Sequence, residues 1–284
     1  MKGLLKIAGL LGLLGGLVLL ERRRPLRAEK ESKPRRNARN LAVATLGAMT
    51  IHFAESPLLY PLASTVQRRR WGLLQWLPLP RALEIAMAVL LLDYTHYIQH
   101  VLHHRVPLLW RFHAVHHVDL DLDASTALRF HFGEIALSVP YRAVQVLLIG
   151  VDPQSLFVWQ MFVLLSILFH HSNLRLPTSV EDRLVSFVVT PRMHGIHHSN
   201  EPQHQNSNWS GGLTIWDALH GTLNLAIPQD DIEIGLPGFG REEQVRLPKI
   251  LTQPFRDEPA VRTFLEAGPS SADASRERAN ERIP

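Results

Sequence analysis

Hydrophobic residues are gathered in long blocks along the chain instead of alternating with polar positions. Four such blocks occupy residues 41–66, 82–102, 134–151 and 154–171. Each approaches the roughly 20 residues that an α-helix needs to cross a bilayer. The alternative is a set of core helices in a large soluble protein, but so many blocks are hard to bury in one chain. With a further block at 3–20, the pattern predicts an all-α fold, an integral membrane bundle of about four to five apolar helices.

The block at 3–20 is followed directly by ERRR, without a small-x-small cleavage site. We therefore expect a retained membrane anchor and not a cleaved signal peptide. The basic run at 21–36 is interpreted as a largely solvated linker, which favours the cytoplasmic side and anionic headgroups. The arginines at 68–70 would lie on the opposite side if the second and third blocks both spanned the membrane. Either the second block is re-entrant or the first block does not span.

Composition divides the chain into three parts. Residues 1–40 are predicted to form the anchor and basic linker, 41–255 a membrane catalytic domain, and 256–284 a disordered tail that is rich in Arg, Glu, Ser and Ala. The sequence GVDPQ joins the last two blocks and predicts a helical hairpin. The chain contains no Cys, which excludes disulfides and cysteine-ligated zinc or iron–sulfur sites within it. The formal net charge is +4, and we expect no nucleic-acid partner.

Histidine is the residue type that changes this picture. Fifteen of the 16 histidines fall between residues 96 and 220, and residues at i, i+3 and i+4 lie on one face of a helix. Three sets have this spacing: His100 with His104; His113 with His116 and His117; and His194 with His197 and His198. The last two blocks make two crossings between the second and third sets. Both sets therefore return to the same face of the membrane.

Crowded imidazoles repel one another when protonated, whereas metal ions would make their proximity favourable. Neutral imidazole is a good ligand for iron, zinc, copper and nickel, and eight histidines are enough for two ions. None of the three sets contains the Glu of the zinc-protease pattern H-E-x-x-H. Iron is the economical choice for a site that faces lipid-like substrates, but the residues alone do not separate iron from zinc. Outside the sets, His52 and His220 are interpreted as surface or capping residues, and His103 as lying beside the ligands or at the surface.

Several segments between residues 90 and 225 carry a resemblance in the right order. They read DYTHYIQH, RFHAVHH, FHHSNLRLP, TPRMHGIHHS and NWSGGLTIWDALHGT. Together they resemble the fatty acid hydroxylase/sterol desaturase superfamily. The resemblance implies an integral membrane non-haem diiron enzyme with a cytosolic histidine-rich helical cap. Such an enzyme would use two iron ions, O2 and two external electrons to hydroxylate or desaturate a lipid.

The resemblance also implies a ligand set. It consists of His100, His104, His113, His116, His117, His171, His194, His197 and His198, with His170 and His96 as further candidates. His131 occupies a position where the family often has HP–E, and here Phe132 replaces the proline. Val101 stands where an arginine commonly follows the leading histidine.

Three residues are candidates for supporting the ligands. Asp93 and Glu134 could accept the spare N–H of a ligating imidazole and fix its tautomer, and His131 is a further candidate. An Asp within an apolar block is costly to bury, which favours a role for Asp93. Trp110 and Trp216 are interpreted as packing residues.

The function predicted from these residues is O2-dependent hydroxylation or desaturation of a sterol or fatty acyl lipid. Electrons would come from an external carrier, such as a ferredoxin or a cytochrome b5-like donor with its reductase. Arg105, Arg111, Arg175 and Arg192 could dock such an acidic carrier. We expect a bacterial inner-membrane protein with its site on the cytoplasmic side. A membrane zinc-dependent hydrolase is the main alternative, and a metal transporter is a second one.

Overall fold

The computed structural model describes residues 2–256 together with 258 and 261. Its regular structure is helical throughout this described part, where β-structure is limited to isolated bridges, so the all-α prediction is confirmed. The N-terminal half contains α1 (Lys2–Arg23), α2 (Lys33–Thr50), a π-helical turn (Ile51–Glu55), α3 (Ser56–Arg69), α4 (Leu73–Trp76) and α5 (Arg81–Arg105). The remaining helices are α6 (Pro107–His117), α7 (Phe132–Ile149), α8 (Pro153–His171), α9 (Thr178–Leu184), α10 (Pro191–His197), α11 (Pro202–Gln205), α12 (Ile215–His220) and α13 (Leu247–Thr252). Short 3-10 turns cover Thr126–Leu128, Gln229–Asp231 and Gln253–Phe255.

Helices α3, α5, α7 and α8 pack around one apolar core. Leu59 and Val66 of α3, Leu92 of α5, Val146 of α7 and Leu156 of α8 are almost completely buried in it. A large buried side chain of this kind contributes about 1.5–3 kcal/mol, so this core fixes the helices against one another. The core therefore sets where the ends of α5, α7 and α8 lie, and these ends carry most of the candidate chemistry.

Helices α7 and α8 are long and apolar enough to cross a membrane. The stretches Lys33–Trp76 and Arg81–Arg105 pass the same test together but are bent by 82°, which gives two candidate spans, or three, in the described residues. These helices support a membrane protein, and the larger count of four to five spans stays a prediction. Gly150 ends α7 with φ +85°, and Asp152 caps α8 by accepting hydrogen bonds from the amides of Gln154 and Ser155. The GVDPQ sequence thus forms the predicted turn between two helices.

The N-terminal region contains the predicted hydrophobic block and a basic run that is exposed over much of its length. The block at 3–20 lies within α1, and its role as an anchor stays a prediction. In the basic run that follows, Glu31 and Arg36 are buried, although Arg22 to Arg24 are exposed. The linker is therefore solvated over much of its length, while Glu21, Glu31 and Arg36 along it pack against the rest of the fold. The predicted disordered tail at 256–284 lies outside the described residues, apart from residues 256, 258 and 261.

Candidate metal centre

Four helical segments bring the histidines together. Helix α5 ends at Arg105, and the extended backbone of Val106 leads directly into α6, which has Pro107 at its start. Thr190 caps α10 by accepting a hydrogen bond from the Met193 amide, and α8 ends at His171. Proline fits the first turn of a helix, since its missing N–H would have no partner there. The ends of α5 and α8 thus meet the short helices α6 and α10.

The histidines form two adjoining clusters. The first cluster contains His100, His104, His113, His117 and His197, and the second cluster contains His116, His171, His194 and His198. Within each cluster the possible ligand atoms all lie within 4.8 Å of one another. The clusters meet where the rings of His117 and His198 stack with their centroids 4.4 Å apart. All nine histidines of the main predicted ligand set are therefore brought together, and they divide into two groups.

Backbone carbonyls fix the tautomers of three rings. The Nδ1 atom of His100 lies 2.6 Å from the carbonyl oxygen of Trp209, and that of His197 lies 2.9 Å from the carbonyl oxygen of Ser207. His171 makes the same contact at 2.8 Å with the carbonyl oxygen of Ile167. A carbonyl oxygen only accepts, so each of these Nδ1 atoms must carry the proton. Their Nε2 atoms consequently hold free lone pairs, which is the form that binds a metal ion.

These Nε2 atoms converge at short distances. In the second cluster, Nε2 of His171 lies 2.9 Å from Nε2 of His116 and 3.0 Å from Nε2 of His194. In the first cluster, Nε2 of His113 lies 3.2 Å from Nε2 of His100. His113 directs its own Nδ1 at the Glu134 carboxylate, so two lone pairs face each other in this last contact. A cation between the rings would relieve this repulsion, and the donor set therefore fits a metal ion.

The burial of the centre keeps the rings neutral. Desolvation lowers the pKa of His113 and that of His197 to about 3. The pKa values of His116, His117 and His198 also lie well below the usual range, because burial is reinforced by the neighbouring histidines. Imidazoles with such low pKa values are unprotonated near neutral pH. They are therefore available as ligands without first losing a proton.

Glu134 is the supporting candidate whose predicted contact the structure contains. Its Oε1 atom lies 2.8 Å from Nδ1 of His113 and 3.6 Å from Nδ1 of His103, and these three residues form a further buried group. Glu134 stands in the first turn of α7, so this helix begins beside the first cluster. Among the described residues, Glu134 is the carboxylate that contacts a histidine ring of either cluster. His103, interpreted from the sequence as flanking or surface, is buried beside it.

Asp93 and His131 make different contacts from those predicted. The Asp93 carboxylate accepts hydrogen bonds from the indole of Trp216 at 2.7 Å and from the Leu213 amide at 3.0 Å. It anchors the segment before α12 and does not orient an imidazole. His131 caps α7, because its Nδ1 accepts a hydrogen bond from the Gly133 amide at 3.0 Å. Both residues support the backbone around the centre.

The remaining histidines lie outside the two clusters. The ring of His170 is 4.1 Å from that of His194, and the ring of His96 is 6.0 Å from that of Trp159, but neither joins either group of converging ligand atoms. His52 is exposed beside Phe53, as expected for a surface residue. His220 is also exposed and stacks on Tyr94 and Tyr97.

Trp209 and Asp217 are supporting residues that the sequence reasoning missed. The Trp209 ring lies 4.6 Å from that of His104 and 5.3 Å from that of His197, in addition to the carbonyl contact with His100. The buried Asp217 carboxylate accepts hydrogen bonds from the Trp209 amide at 2.8 Å and from the Ser210 amide at 2.9 Å. An Asp next to a Trp in the sequence TIWDALHG was the available signal. It indicates a buried carboxylate but not its partners.

The fold and site define a class: a helical membrane protein with a buried centre of two histidine clusters. A family model described as fatty acid hydroxylase matches residues 85–222. This segment is similar to the fatty acid hydroxylase family, and the resemblance noted in the sequence is confirmed.

Three curated proteins are similar to this chain over parts of their length. The ornithine lipid hydroxylase OlsE of Rhizobium tropici is 32% identical over 165 residues, which cover 58% of this chain and 48% of that protein. The human cholesterol 25-hydroxylase is 30% identical over 143 residues, 50% of this chain and 52% of that protein. The alkylglycerol monooxygenase of Xenopus tropicalis is 32% identical over 132 residues, 46% of this chain and 28% of that protein. The chain thus spans about half or less of the length of these relatives. No solved structure matches it significantly.

Proposed function

We propose that the protein is a membrane-bound, O2-dependent lipid hydroxylase with two iron ions. The observation that carries this proposal is the division of nine buried histidines into two adjoining groups of converging ligand atoms. One group would hold each ion. The hydroxylase and monooxygenase names of the relatives favour hydroxylation over desaturation.

When bound, the ions would supply the activation of O2 and the oxidation of an unactivated C–H bond. One oxygen atom would enter the C–H bond and the other would leave as water, which consumes two electrons and two protons. The protein's contribution is to hold the histidine rings in position and to exclude water from the centre. The carbonyl oxygens of Trp209, Ser207 and Ile167 hold three rings in the required tautomer, and Glu134 holds that of His113. Trp110 and Trp209 are fully buried and cover His104 at 4.8 and 4.6 Å.

We further propose that residues 41–255 form the catalytic domain, with the histidine centre as a cap on the cytoplasmic ends of α7 and α8. Glu134 in the first turn of α7 and His171 at the end of α8 both belong to the centre or contact it. The two ends of the hairpin therefore lie on the same side. A lipid that lies along these apolar helices would present a carbon atom to the centre at the membrane surface. The ornithine lipid, cholesterol and alkylglycerol of the relatives' names suggest an acyl or sterol-like lipid.

Electrons would come from an external donor of the ferredoxin or cytochrome b5 type. Arg105 and Arg192 are exposed and could contact an acidic carrier. Arg111 and Arg175 use their guanidinium groups on backbone carbonyls, at 2.7 Å for Arg256 and 3.0 Å for Leu26. We therefore assign the docking role to Arg105 and Arg192 ahead of the other two.

The test combines metal analysis with lipid profiling. The purified chain should contain about two iron ions, and cells that express it should accumulate a lipid that is heavier by one oxygen atom, only when O2 is present. A His113→Ala variant should not produce this lipid. Zinc in place of iron, with turnover that does not need O2, would contradict the proposal and establish the hydrolase. A lipid lighter by two hydrogen atoms would replace hydroxylation by desaturation.

A further inference from the structure

The segment 21–40, called the N-terminal strap below, lies outside residues 85–222, which match the family. It leads from the end of α1 into α2 and contacts three loops. The first loop follows His116 and His117 at the end of α6, the second follows His171, and the third leads to Pro191 at the start of α10, which carries His194 and His197. The strap therefore contacts all three segments that supply the second cluster.

Glu21 joins the first two of these loops. Its Oε1 atom accepts hydrogen bonds from the Ala124 amide at 2.8 Å and from the Asn173 amide at 2.8 Å. The side chain is buried. Loss of this acceptor would therefore remove the hydrogen bonds of two backbone amides in a region with little access to water, which is costly. Asn173 follows His171 by two residues, and Ala124 lies in the loop after His116. One carboxylate thus holds two ligand-bearing segments at a fixed separation.

Arg27 joins the second loop to the third. Its backbone amide donates to Oδ1 of Asn173 at 2.8 Å, and its Nη2 donates to the Pro191 carbonyl oxygen at 2.9 Å. The guanidinium lies against Gly195, where an added Cβ would stand only 1.6 Å from Nη2. Gly195 follows His194 directly, and this close approach explains why the third histidine set contains a glycine. Arg27 therefore contacts α10 both at its first residue, Pro191, and at Gly195.

The end of the strap holds the loop after His116 through Asp119. The Asp119 carboxylate accepts hydrogen bonds from Arg36 at 3.1 Å, from Arg39 at 3.0 Å and from Asn40 at 2.9 Å. Arg129 donates to the Asn40 side chain at 2.7 Å, and to the carbonyl oxygen of Val115 within α6 at 2.8 Å. All five side chains are buried. A buried and mutually bonded group of charges is strongly destabilised when one partner is removed, so this loop has a fixed position.

The first cluster is tied to the strap less directly, because His100 and His104 lie on α5, which takes no part in the strap contacts described above. The oxygen atoms that orient His100, His197 and His113 belong to Trp209, Ser207 and Glu134, which lie outside the strap. We infer that the N-terminal strap is a positioning element for the second cluster, with Glu21 and Arg27 as its positioning residues. The inference rests on the proposed two-metal centre and adds to it a stronger dependence of the second ion on the strap. All four rings of the second cluster come from segments that the strap contacts, whereas His100 and His104 of the first cluster come from α5.

The experiment measures metal content and metal release on the full-length protein in detergent or nanodiscs. A chelator should remove the metal of the wild type in two phases. In Glu21→Leu, the phase that belongs to the second cluster should become about 10- to 100-fold faster, as found when groups that orient metal ligands are lost. The other phase should be accelerated clearly less, because Glu21 reaches the first cluster only through the loop after α6. A His171→Ala variant identifies which phase belongs to the second cluster.

Two controls separate positioning from general unfolding. Glu21→Gln keeps an oxygen acceptor and should restore slow release, and Arg22→Gln alters the exposed neighbour and should have no effect. Arg27→Met repeats the test from the other end of the strap, in case Glu21→Leu does not fold. Equal acceleration of both phases, or unchanged release in Glu21→Leu and Arg27→Met, would overturn the role of the strap. A wild type that holds fewer than two ions would instead overturn the two-metal centre, and the strap inference with it.

Discussion

The two clusters are built in different ways. In the first cluster, two pairs at i, i+4 spacing, on α5 and on α6, supply four of the five rings: His100, His104, His113 and His117. In the second cluster, the rings come from α6, α8 and the α10 segment, with only His194 and His198 at helical spacing. Local helix geometry therefore assembles most of the first cluster, whereas tertiary packing assembles the second. This difference makes the second cluster the more sensitive to changes in distant parts of the fold.

The largest expected effect comes from two single variants, each of which removes one histidine ring from one of the clusters. We expect His104→Ala to lose the metal of the first cluster and His171→Ala that of the second, each with a drop in hydroxylated lipid of more than about 100-fold. The loss of an outer partner already costs about 10- to 100-fold, and a direct ligand should cost more. Metal analysis of each purified variant should give about one ion per chain, against about two for the wild type. Loss of both ions from either variant would show that the clusters do not bind independently.

A second prediction concerns Glu134, which contacts the first cluster. Glu134→Leu removes the acceptor of the His113 Nδ1 proton, so the ring can rotate or change tautomer. We expect metal affinity at the first cluster to fall about 10- to 100-fold, with little change at the second. Competition with a chromophoric chelator measures this change. Glu134→Gln, which keeps an oxygen acceptor, is the matched control and should lie closer to the wild type.

A smaller effect is expected for Asp217, which acts on the first cluster through one more residue. Asp217→Ala releases the amides of Trp209 and Ser210, and the Trp209 carbonyl then holds His100 less firmly. We expect roughly a tenfold loss of affinity at the first cluster, at the lower end of the range for indirect partners. An unchanged affinity in a correctly folded variant would mean that the Trp209 ring packing alone fixes this carbonyl.

The smallest effect should come from the end of the hairpin away from the histidines. Trp76 is 71% exposed near the turn between α7 and α8. Trp76→Ala should change the stability of the protein by less than about 0.5 kcal/mol, as is usual for exposed positions, and should leave both metals in place. Thermal unfolding and metal analysis of this variant provide the baseline for the other three predictions.

The long apolar blocks were sufficient to predict the all-α fold, and helical spacing selected eight of the nine histidines that converge, whereas His171 was added by the family resemblance. The division into two clusters follows from the same geometry, although it was not drawn from the sequence. His116 and His117 are consecutive, as are His197 and His198, and consecutive residues on a helix point in different directions. Each such pair therefore sends one ring to each cluster.

The supporting groups were less predictable for a physical reason. Trp209, Ser207 and Ile167 act through backbone carbonyls, which every residue type possesses, so side-chain identity carries no signal. The basic run was interpreted as mostly solvated because its charges are dense. Its partners, including Asp119, lie some 80 positions away in the chain, where only the folded structure brings them into contact.

The turn at Gly150 has a consequence for the opposite end of the molecule. An added Cβ at Gly72 would stand 2.4 Å from the Gly150 Cα atom, so the two backbones touch where α7 meets α8. Each of these helices is a stiff rod of about 27–29 Å at 1.5 Å per residue. A bulkier residue at this turn would push α7 and α8 apart. The far ends of the two helices, where Glu134 and His171 lie, would then move further from each other. The separation of the two histidine clusters would thus depend on two glycines that lie about the thickness of a bilayer away.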